Sequence, residues 1–255
     1  MSQSPAADEA ELPGATLLAR FNSFLATQKA DTPELKRQAF ALRYQVYCLE
    51  RQFEDLSQHP KKLETDKFDS HALHGLVTTK ANDRAIGTAR LILPENRQLP
   101  ILGLLHSQNI DPERHFPISG AAEVSRFAIT RQFPRRRTAG DYAPGVRIEE
   151  PRHSQLNLPC LGLIQMLLRL SLESEVRYWV AMMEPKLLRM LAMMGIHFSS
   201  IGALVMHHGL RQPSVCHLPS MLATMRREKP DYWFVITNGG RLFAPTKFIT
   251  DECAA

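Results

Sequence analysis

The stretch AAEVSRFAIT, residues 121–130, is the best starting point for interpreting the rest of the sequence. Its alternation predicts one short strand with two different faces. One face would carry Glu123, Ser125 and Phe127, and the other Val124, Arg126 and Ala128. Strands that serve only a core seldom combine a carboxylate, a hydroxyl and a guanidinium, because buried polar groups need partners. The strand is therefore either a polar edge strand or the floor of a site.

The composition indicates a soluble globular protein. Of the 255 residues 44% are hydrophobic, which is ample for one sizeable core, and the formal net charge is +5. The excess of basic residues suggests an acidic partner or substrate, although such an excess is also common in proteins that bind nothing acidic. The four cysteines form no CxxC pair, which argues against a zinc ribbon. With no signal peptide and no long apolar run, we expect a cytoplasmic enzyme or binding protein.

The order of predicted elements indicates an α/β layer arrangement. Residues 1–15 lack apolar periodicity and are expected to be a disordered lead-in, so that residues 16–255 would form a single domain. Residues 17–27 fit either a strand or a short helix. Helices are predicted over about 31–50, 102–108, 161–176, 185–195 and 219–229. Strands are predicted over 74–80, 85–93, 121–130, 178–183, 197–202 and 231–237.

Polar side chains recur in three places before residue 121. Arg43 and Tyr47 lie four apart on the first long helix and therefore share a face. Three carboxylates, Glu64, Asp66 and Asp69, follow within six residues, but the segment lacks the glycine and closing glutamate of an EF-hand loop, so we expect no metal. Arg90 lies in mid-strand and must reach either solvent or a carboxylate, for which Glu64, Asp66, Asp69 and Glu123 are the candidates.

A run of arginines follows the strand at 121–130, and it consists of Arg131, Arg135, Arg136 and Arg137. A solvated patch or a nucleic-acid contact is the common explanation of such a run. Its position directly after the candidate site strand favours a docking site for a phosphate or an acidic protein. Residues 140–157 are polar and rich in proline, and we expect a mobile loop there.

Taken in order, these polar residues resemble one family. The series Arg43, Tyr47, Glu64-x-Asp66-x-x-Asp69, Arg90 and Glu123-x-x-Arg126-Phe127 resembles the acyl-homoserine-lactone synthase group of the GNAT acyltransferase superfamily. The phrases ADTPELKRQAFALRYQVYCLE and EVSRFAI look still more like acyltransferases associated with the PEP-CTERM/exosortase system, relatives of the N-acyl amino acid synthases. The resemblance spans about residues 21–129 and is looser beyond.

The resemblance implies a GNAT-like fold, with a mixed, mostly antiparallel central sheet between helices in three α/β/α layers. It implies transfer of a fatty acyl group from acyl carrier protein to the amine of an amino acid or similar small acceptor. Glu123 would remove the proton from the amine, and backbone N–H groups near Phe127 and Ala128 would polarise the thioester carbonyl. The pocket for the amine substrate would be formed by Arg43, Tyr47, Glu64, Asp66, Asp69, Arg90, Ser125 and Arg126.

Two departures from the family pattern bear on the substrates. The tryptophan that lactone synthases carry after the first helix is missing and Phe53 is the aromatic residue there, which argues against S-adenosylmethionine. The glycine-rich pyrophosphate loop of coenzyme-A-dependent relatives is also missing, and the arginine run takes its place. We therefore expect no tightly bound cofactor and an acyl-phosphopantetheine thioester on acyl carrier protein as donor, with coenzyme A less favoured.

The resemblance leaves two alternative functions open. The alternatives are a homoserine-lactone signal synthase that uses S-adenosylmethionine, and a non-catalytic acyl- or nucleic-acid-binding module, although no nucleic-acid partner is expected. A lipid product could bring peripheral membrane association.

Overall fold

The computed structural model describes residues 14–96, 98–132, 158–207 and 209–243. The predicted lead-in up to position 13, Arg135 to Arg137 and the loop at 140–157 fall outside these ranges. The helices are α1 (Ala15–Phe24), α2 (Pro33–Arg43), α3 (Pro100–Ser107), α4 (Leu158–Glu173), α5 (Pro185–Met193), α6 (Leu218–Glu228) and α7 (Pro230–Ile236). The strands are β1 (Leu25–Lys29), β2 (Ala72–Thr79), β3 (Ala85–Ile92), β4 (Ala121–Ile129), β5 (Tyr178–Met183), β6 (Ser199–Ser200), β7 (Val205–Met206) and β8 (Leu210–His217).

The described strands form one sheet in the order β1-β2-β3-β4-β5-β8-β6, with β7 paired to β8. Its pairings are antiparallel except between β4 and β5, which run parallel. Helices cover both faces. On one face α3 packs over Ile92, Ala121 and Val180, and α2 covers Leu76. The predicted GNAT-like fold, a mostly antiparallel sheet between helices, is therefore confirmed.

The other face carries the larger core. Helix α4 is buried along almost its whole length, which explains why its sequence is apolar on all sides. It packs against the sheet through Leu163 and Leu167, while α1, α6 and α7 close the layer around Phe21, Leu222 and Trp233. In the part of the chain that the structure describes, no helix is long and apolar enough to cross a membrane.

The first two predicted segments each contain two elements in the structure. Residues 17–27, which fitted a helix or a strand, contain the end of α1 and the start of β1. The helix predicted over 31–50 begins with Thr32 as its N-cap, whose hydroxyl accepts a hydrogen bond from the Leu35 N–H at 3.3 Å. It then changes to a π-helix over Tyr44–Glu50. Such π-turns are frequent at functional sites.

The C-terminal part of the prediction contains one wrong element and omits two strands, β7 and β8. Residues 231–237 were predicted as a strand, but α7 occupies this segment because Pro230 suits the first helical position and buried Trp233 and Ile236 share one face. Strand β8 was not predicted, since Pro213 lies within it. The Pro213 carbonyl nevertheless accepts a hydrogen bond from the Ile201 N–H at 3.0 Å.

Candidate active site

A β-bulge interrupts β4 at Arg126. Thr88 pairs with Ala128 and Arg90 with Ser125, so one residue of β3 faces two residues of β4, and Arg126 has a φ of 49°. The prediction that Arg126 shares a face with Val124 is therefore wrong, and so is the placement of Phe127 with Ser125. The extra residue turns Arg126 to the side of Ser125, and Phe127 packs in the α4 core.

Strands β4 and β5 part at Glu123. Their parallel ladder pairs Ala121–Glu123 with Tyr178–Val180 and goes no further, although β4 continues to Ile129 and β5 to Met183. The gap opens beside the bulge. Two of the residues for which a catalytic role was predicted, Phe127 and Ala128, lie on β4 along this gap.

Glu123 is buried where the two strands part. Its side chain accepts a hydrogen bond from the backbone N–H of Ile101, in the first turn of α3, at 2.7 Å. Burial raises the pKa of Glu123 to about 7, although the Ile101 N–H and the charge of Arg90 oppose the shift. A carboxyl group with such a pKa exchanges a proton near neutral pH. The same contact also stabilises the helix N-terminus, so the residue has a structural role as well.

Three arginines and four carboxylates lie on the side of the sheet that α2 covers, and we call them the arginine–carboxylate lattice. Its members are Arg43, Arg90, Arg126, Glu54, Glu64, Asp66 and Asp69. Formally it carries one excess negative charge among the described residues. All the predicted pocket arginines and carboxylates meet here.

Glu64 joins Arg43 of α2 to Arg126 of β4. The Arg43 Nε donates to Glu64, and Arg126 donates to the same carboxylate from Nη2 at 2.8 Å. Burial alone would raise the pKa of Glu64, but the hydrogen bonds from the two guanidinium groups lower it to about 2. Glu64 is therefore a permanently ionised structural partner and not a proton acceptor.

Arg90 joins the loop after Glu64 to the bulged strand. One nitrogen, Nη1, donates to Asp66 at 2.6 Å and to Asp69 at 2.7 Å, and Nε donates to the Ser125 hydroxyl at 2.9 Å. Asp66 also caps the 3-10 turn Lys67–His71 in a capping box with Asp69. The spacing of the acidic motif is therefore explained by one turn that presents both aspartates to the arginines.

Arg126 is the most accessible lattice cation. Its side chain is 24% exposed, compared with 0% for Arg43 and 3% for Arg90. Its guanidinium also lies 5.4 Å from the centre of the Tyr47 ring and 3.4 Å from Glu54. Sequence reasoning did not single out Glu54, and its position in a polar loop gave no signal.

Tyr47 connects the π-helix to the bulge. Its hydroxyl donates to the Phe127 carbonyl at 3.4 Å, and burial raises its pKa, against the charge of Arg126. Sequence reasoning also gave no role to His74, which lies buried 3.8 Å from Asp69 and edge-on to Phe40. Burial lowers the pKa of His74 to about 4, so the ring is neutral at pH 7.

Of the four arginines predicted to form a docking site, only Arg131 belongs to the described residues. Arg131 is exposed at the end of β4, where its N–H donates to Glu50 at 2.9 Å. The other three arginines of the run are outside the described residues. Among the residues that the structure describes, no cluster of histidine, cysteine or acidic side chains could hold a metal ion.

A match to a known protein family covers the same part of the chain. Residues 42–141 match the family model described as the acetyltransferase (GNAT) domain, which covers the π-helix, the lattice and β4. Among curated proteins no sequence matches the chain.

Solved structures share the fold at low sequence identity. TofI, in a ternary complex with an inhibitor and MTA, gives a TM-score of 0.56 at 18% identity over 79% of this chain and 95% of that chain. FeeM, an N-acyl amino acid synthase from uncultured soil microbes, gives 0.53 at 16% over 78% and 94%. MesI, a CoA-dependent acyl-homoserine lactone synthase, gives 0.54 at 17% over 80% and 93%.

Proposed function

We propose that this protein is an N-acyltransferase that moves a fatty acyl group from a phosphopantetheine thioester to the amine of an amino acid or a similar small acceptor. We place it in the cytoplasm, where acyl carrier protein supplies such thioesters, and in the PEP-CTERM/exosortase-associated group that its N-terminal half resembles. The GNAT domain match and the likeness of fold to FeeM support an acyltransferase of this kind.

The proposal rests mainly on the burial of Glu123, on its pKa and on its position beside the gap. An ammonium group is no nucleophile until it loses a proton, and a base with a pKa near the working pH is best suited to remove it. Glu123 is a buried carboxyl group with a pKa of about 7, beside the gap between β4 and β5. The lattice carboxylates Glu64 and Asp69 have pKa values near 2 and are too weakly basic for this task.

The reaction removes two protons from the acceptor nitrogen. Glu123 takes the proton from the ammonium, directly or through a water molecule, and the amine attacks the thioester carbonyl. The C–N bond forms and the C–S bond breaks. The nitrogen then loses its second proton, which the departing sulfur takes up to leave as a thiol, and Glu123 releases the first proton to solvent. Backbone N–H groups at Phe127 and Ala128 are the proposed donors to the oxyanion. The hydrogen bond from the Tyr47 hydroxyl to the Phe127 carbonyl holds this stretch of backbone.

The lattice supplies the surroundings of the acceptor. Its formal charge among the described residues is minus one, which favours an ammonium over an anion. Ser125 of β4 accepts a hydrogen bond from Arg90 of β3, and Arg90 in turn donates to Asp66 and Asp69 and so positions both carboxylates. We assign these residues to the acceptor pocket.

The donor is best sought among carrier proteins. Arg131, and with it Arg135 to Arg137, would meet the acidic surface of acyl carrier protein. MesI is described as CoA-dependent, so coenzyme A thioesters are the second donor to be tested. A lactone synthase that uses S-adenosylmethionine is the second candidate function. The fold shared with MesI favours it, while Phe53 in place of a tryptophan disfavours it.

The test is an assay of the purified protein with acyl carrier protein and coenzyme A thioesters of eight to eighteen carbons. One reaction contains a pool of amino acids and another S-adenosylmethionine, and products are identified by mass spectrometry. We expect N-acyl amino acids from the first pool. Lactone with consumption of S-adenosylmethionine would select the second candidate, and no acylated product in either would refute both.

A further inference from the structure

The loop after the π-helix, residues 51–54, connects the lattice to a second charged cluster. Its backbone is fixed on the site, because the Phe53 N–H donates to the Tyr47 carbonyl at 2.7 Å and the Arg51 N–H to the Val46 carbonyl at 3.0 Å. At one end of the loop, Glu54 belongs to the lattice through Arg126. At the other end, Arg51 reaches away from the lattice.

Arg51 and Arg211 surround Phe53. Their guanidinium carbons lie 5.7 Å and 5.9 Å from the centre of the Phe53 ring. Both also contact one carboxylate, Glu184, at 3.5 Å and 3.0 Å. Glu184 directly follows β5, and Arg211 lies near the start of β8 opposite that end of β5. The cluster thus lies at the end of the strand that forms one side of the gap.

The contact between Arg51 and Glu184 is easily exchanged. The two side chains are 42% and 38% exposed, and ion pairs this exposed contribute little to stability because water and salt screen them. Cation–π contacts with the Phe53 ring meanwhile keep both guanidinium groups in place. Glu184 also pairs with Arg211, whose side chain is 12% exposed, so a carboxylate that replaces Glu184 has to take over this contact as well. The fork of an arginine binds a carboxylate through two hydrogen bonds.

The lattice arginines are poorly suited to that role. Arg43 and Arg90 are buried and each bonds two lattice carboxylates. Arg126 bonds Glu64 through both Nε and Nη2. An added anion would have to displace buried charge pairs, which is costly.

We propose that Arg51 and Arg211 form the subsite for the carboxylate of the acceptor, with Phe53 as its wall and Glu184 as the internal carboxylate that the acceptor replaces. This rests on the proposed function and deepens it. The lattice favours a cation and this subsite an anion, and the loop 51–54 joins the two. An acceptor with an ammonium and a carboxylate matches both.

The test compares the amino acid that the acceptor screen selects with its carboxamide, which lacks only the acid. For wild type, KM for the acid should be at least tenfold below that for the amide. Arg51→Gln should raise KM for the acid about tenfold and leave KM for the amide unchanged, and Arg51→Lys should recover part of the loss. Arg169→Gln, an exposed arginine on α4, is the matched control.

Glu184→Gln gives a change of opposite sign. Removing the competing carboxylate should lower KM for the acid by a factor of two or more and leave the amide unaffected. Arg211→Gln should behave as Arg51→Gln does. Equal turnover of acid and amide by wild type would overturn the subsite while leaving the acyltransferase intact, whereas no turnover of either refutes the proposed function itself.

A second arm separates acceptor carboxylate from donor phosphate, since both are oxyanions. Acyl-phosphopantetheine and acyl-pantetheine are compared as donors at saturating acceptor. The ratio of their KM values should be the same for wild type and Arg51→Gln. A loss confined to the phosphorylated donor would assign the two arginines to the donor and overturn the acceptor assignment.

Discussion

Replacing Glu123 by glutamine should change the pH dependence of stability in a defined window. The side-chain oxygen of glutamine can still accept the hydrogen bond from the Ile101 N–H, so the contact with α3 is kept. Only the ionisable group is lost. The pKa of Glu123 rises from 4.5 to about 7 on folding, and this shift corresponds to about 3 kcal/mol.

The sign follows from proton binding. Between pH 4.5 and about 7 the folded protein holds a proton on Glu123 that the unfolded chain has lost, so this group makes stability fall as the pH rises. His74 acts oppositely, because its pKa falls from 6.5 to about 4 and the unfolded chain binds the proton more tightly in between. The two effects largely cancel in wild type.

The difference between variant and wild type isolates the Glu123 contribution. The free energy of unfolding of Glu123→Gln, minus that of wild type, should increase by about 3 kcal/mol from pH 4.5 to pH 7.5 and remain level above. Urea unfolding at one-unit pH intervals measures it. In the assay, kcat/KM of wild type should increase through an apparent pKa near 7, and the variant should be about 10²–10⁴-fold slower.

A flat difference between pH 4.5 and pH 7.5 would refute the reasoning, because it would mean that Glu123 is already ionised in the folded protein at low pH. A slope of the expected size with unchanged activity would separate the two claims. The carboxyl group would then be a buried anchor of α3 and not the base.

Two further predictions concern the lattice and the packing of the sheet. Arg43→Met should cost about 3–5 kcal/mol in urea unfolding, since it leaves Glu64 and Asp69 with less compensation in a buried site, whereas Arg169→Met on the surface of α4 should cost less than about 1 kcal/mol. Gly75→Ala should cost about 1–3 kcal/mol, because its Cβ would overlap the Met166 side chain. In a Met166→Ala background, which is itself destabilised, the same glycine substitution should cost less.

Much of the charge pairing in the lattice could be predicted from the sequence, because a charge in a buried strand limits the possible partners. Arg90 had few candidate carboxylates, and the structure pairs it with Asp66 and Asp69. The hairpin of β2 and β3 and the strand at 121–129 follow directly from period-two alternation and turn residues.

The features that could not be predicted from the sequence depend on contacts between distant segments. The bulge at Arg126 exists only relative to β3, so alternation alone assigned Arg126 and Phe127 to the wrong faces. The aromatic run at 231–237 has strand propensity, yet packing on α1 and α4 makes it a helix. Glu54 reaches the lattice from a loop, and Arg211 contacts Glu184 from the end of a strand, and neither position has a periodic pattern.

The bulge and the lattice depend on one another for a physical reason. In a regular strand Arg126 would follow Val124 to the α4 side, where Leu163 and Leu167 form an apolar layer and a guanidinium would find no carboxylate. One added residue returns Arg126 to the side of Glu64 and carries Phe127 into the apolar core instead. The same irregularity lies where β4 no longer pairs with β5, three residues beyond Glu123. A single strand thus carries the proposed base, the lattice cation Arg126 and the backbone along the gap, because β4 leaves regular geometry at this point.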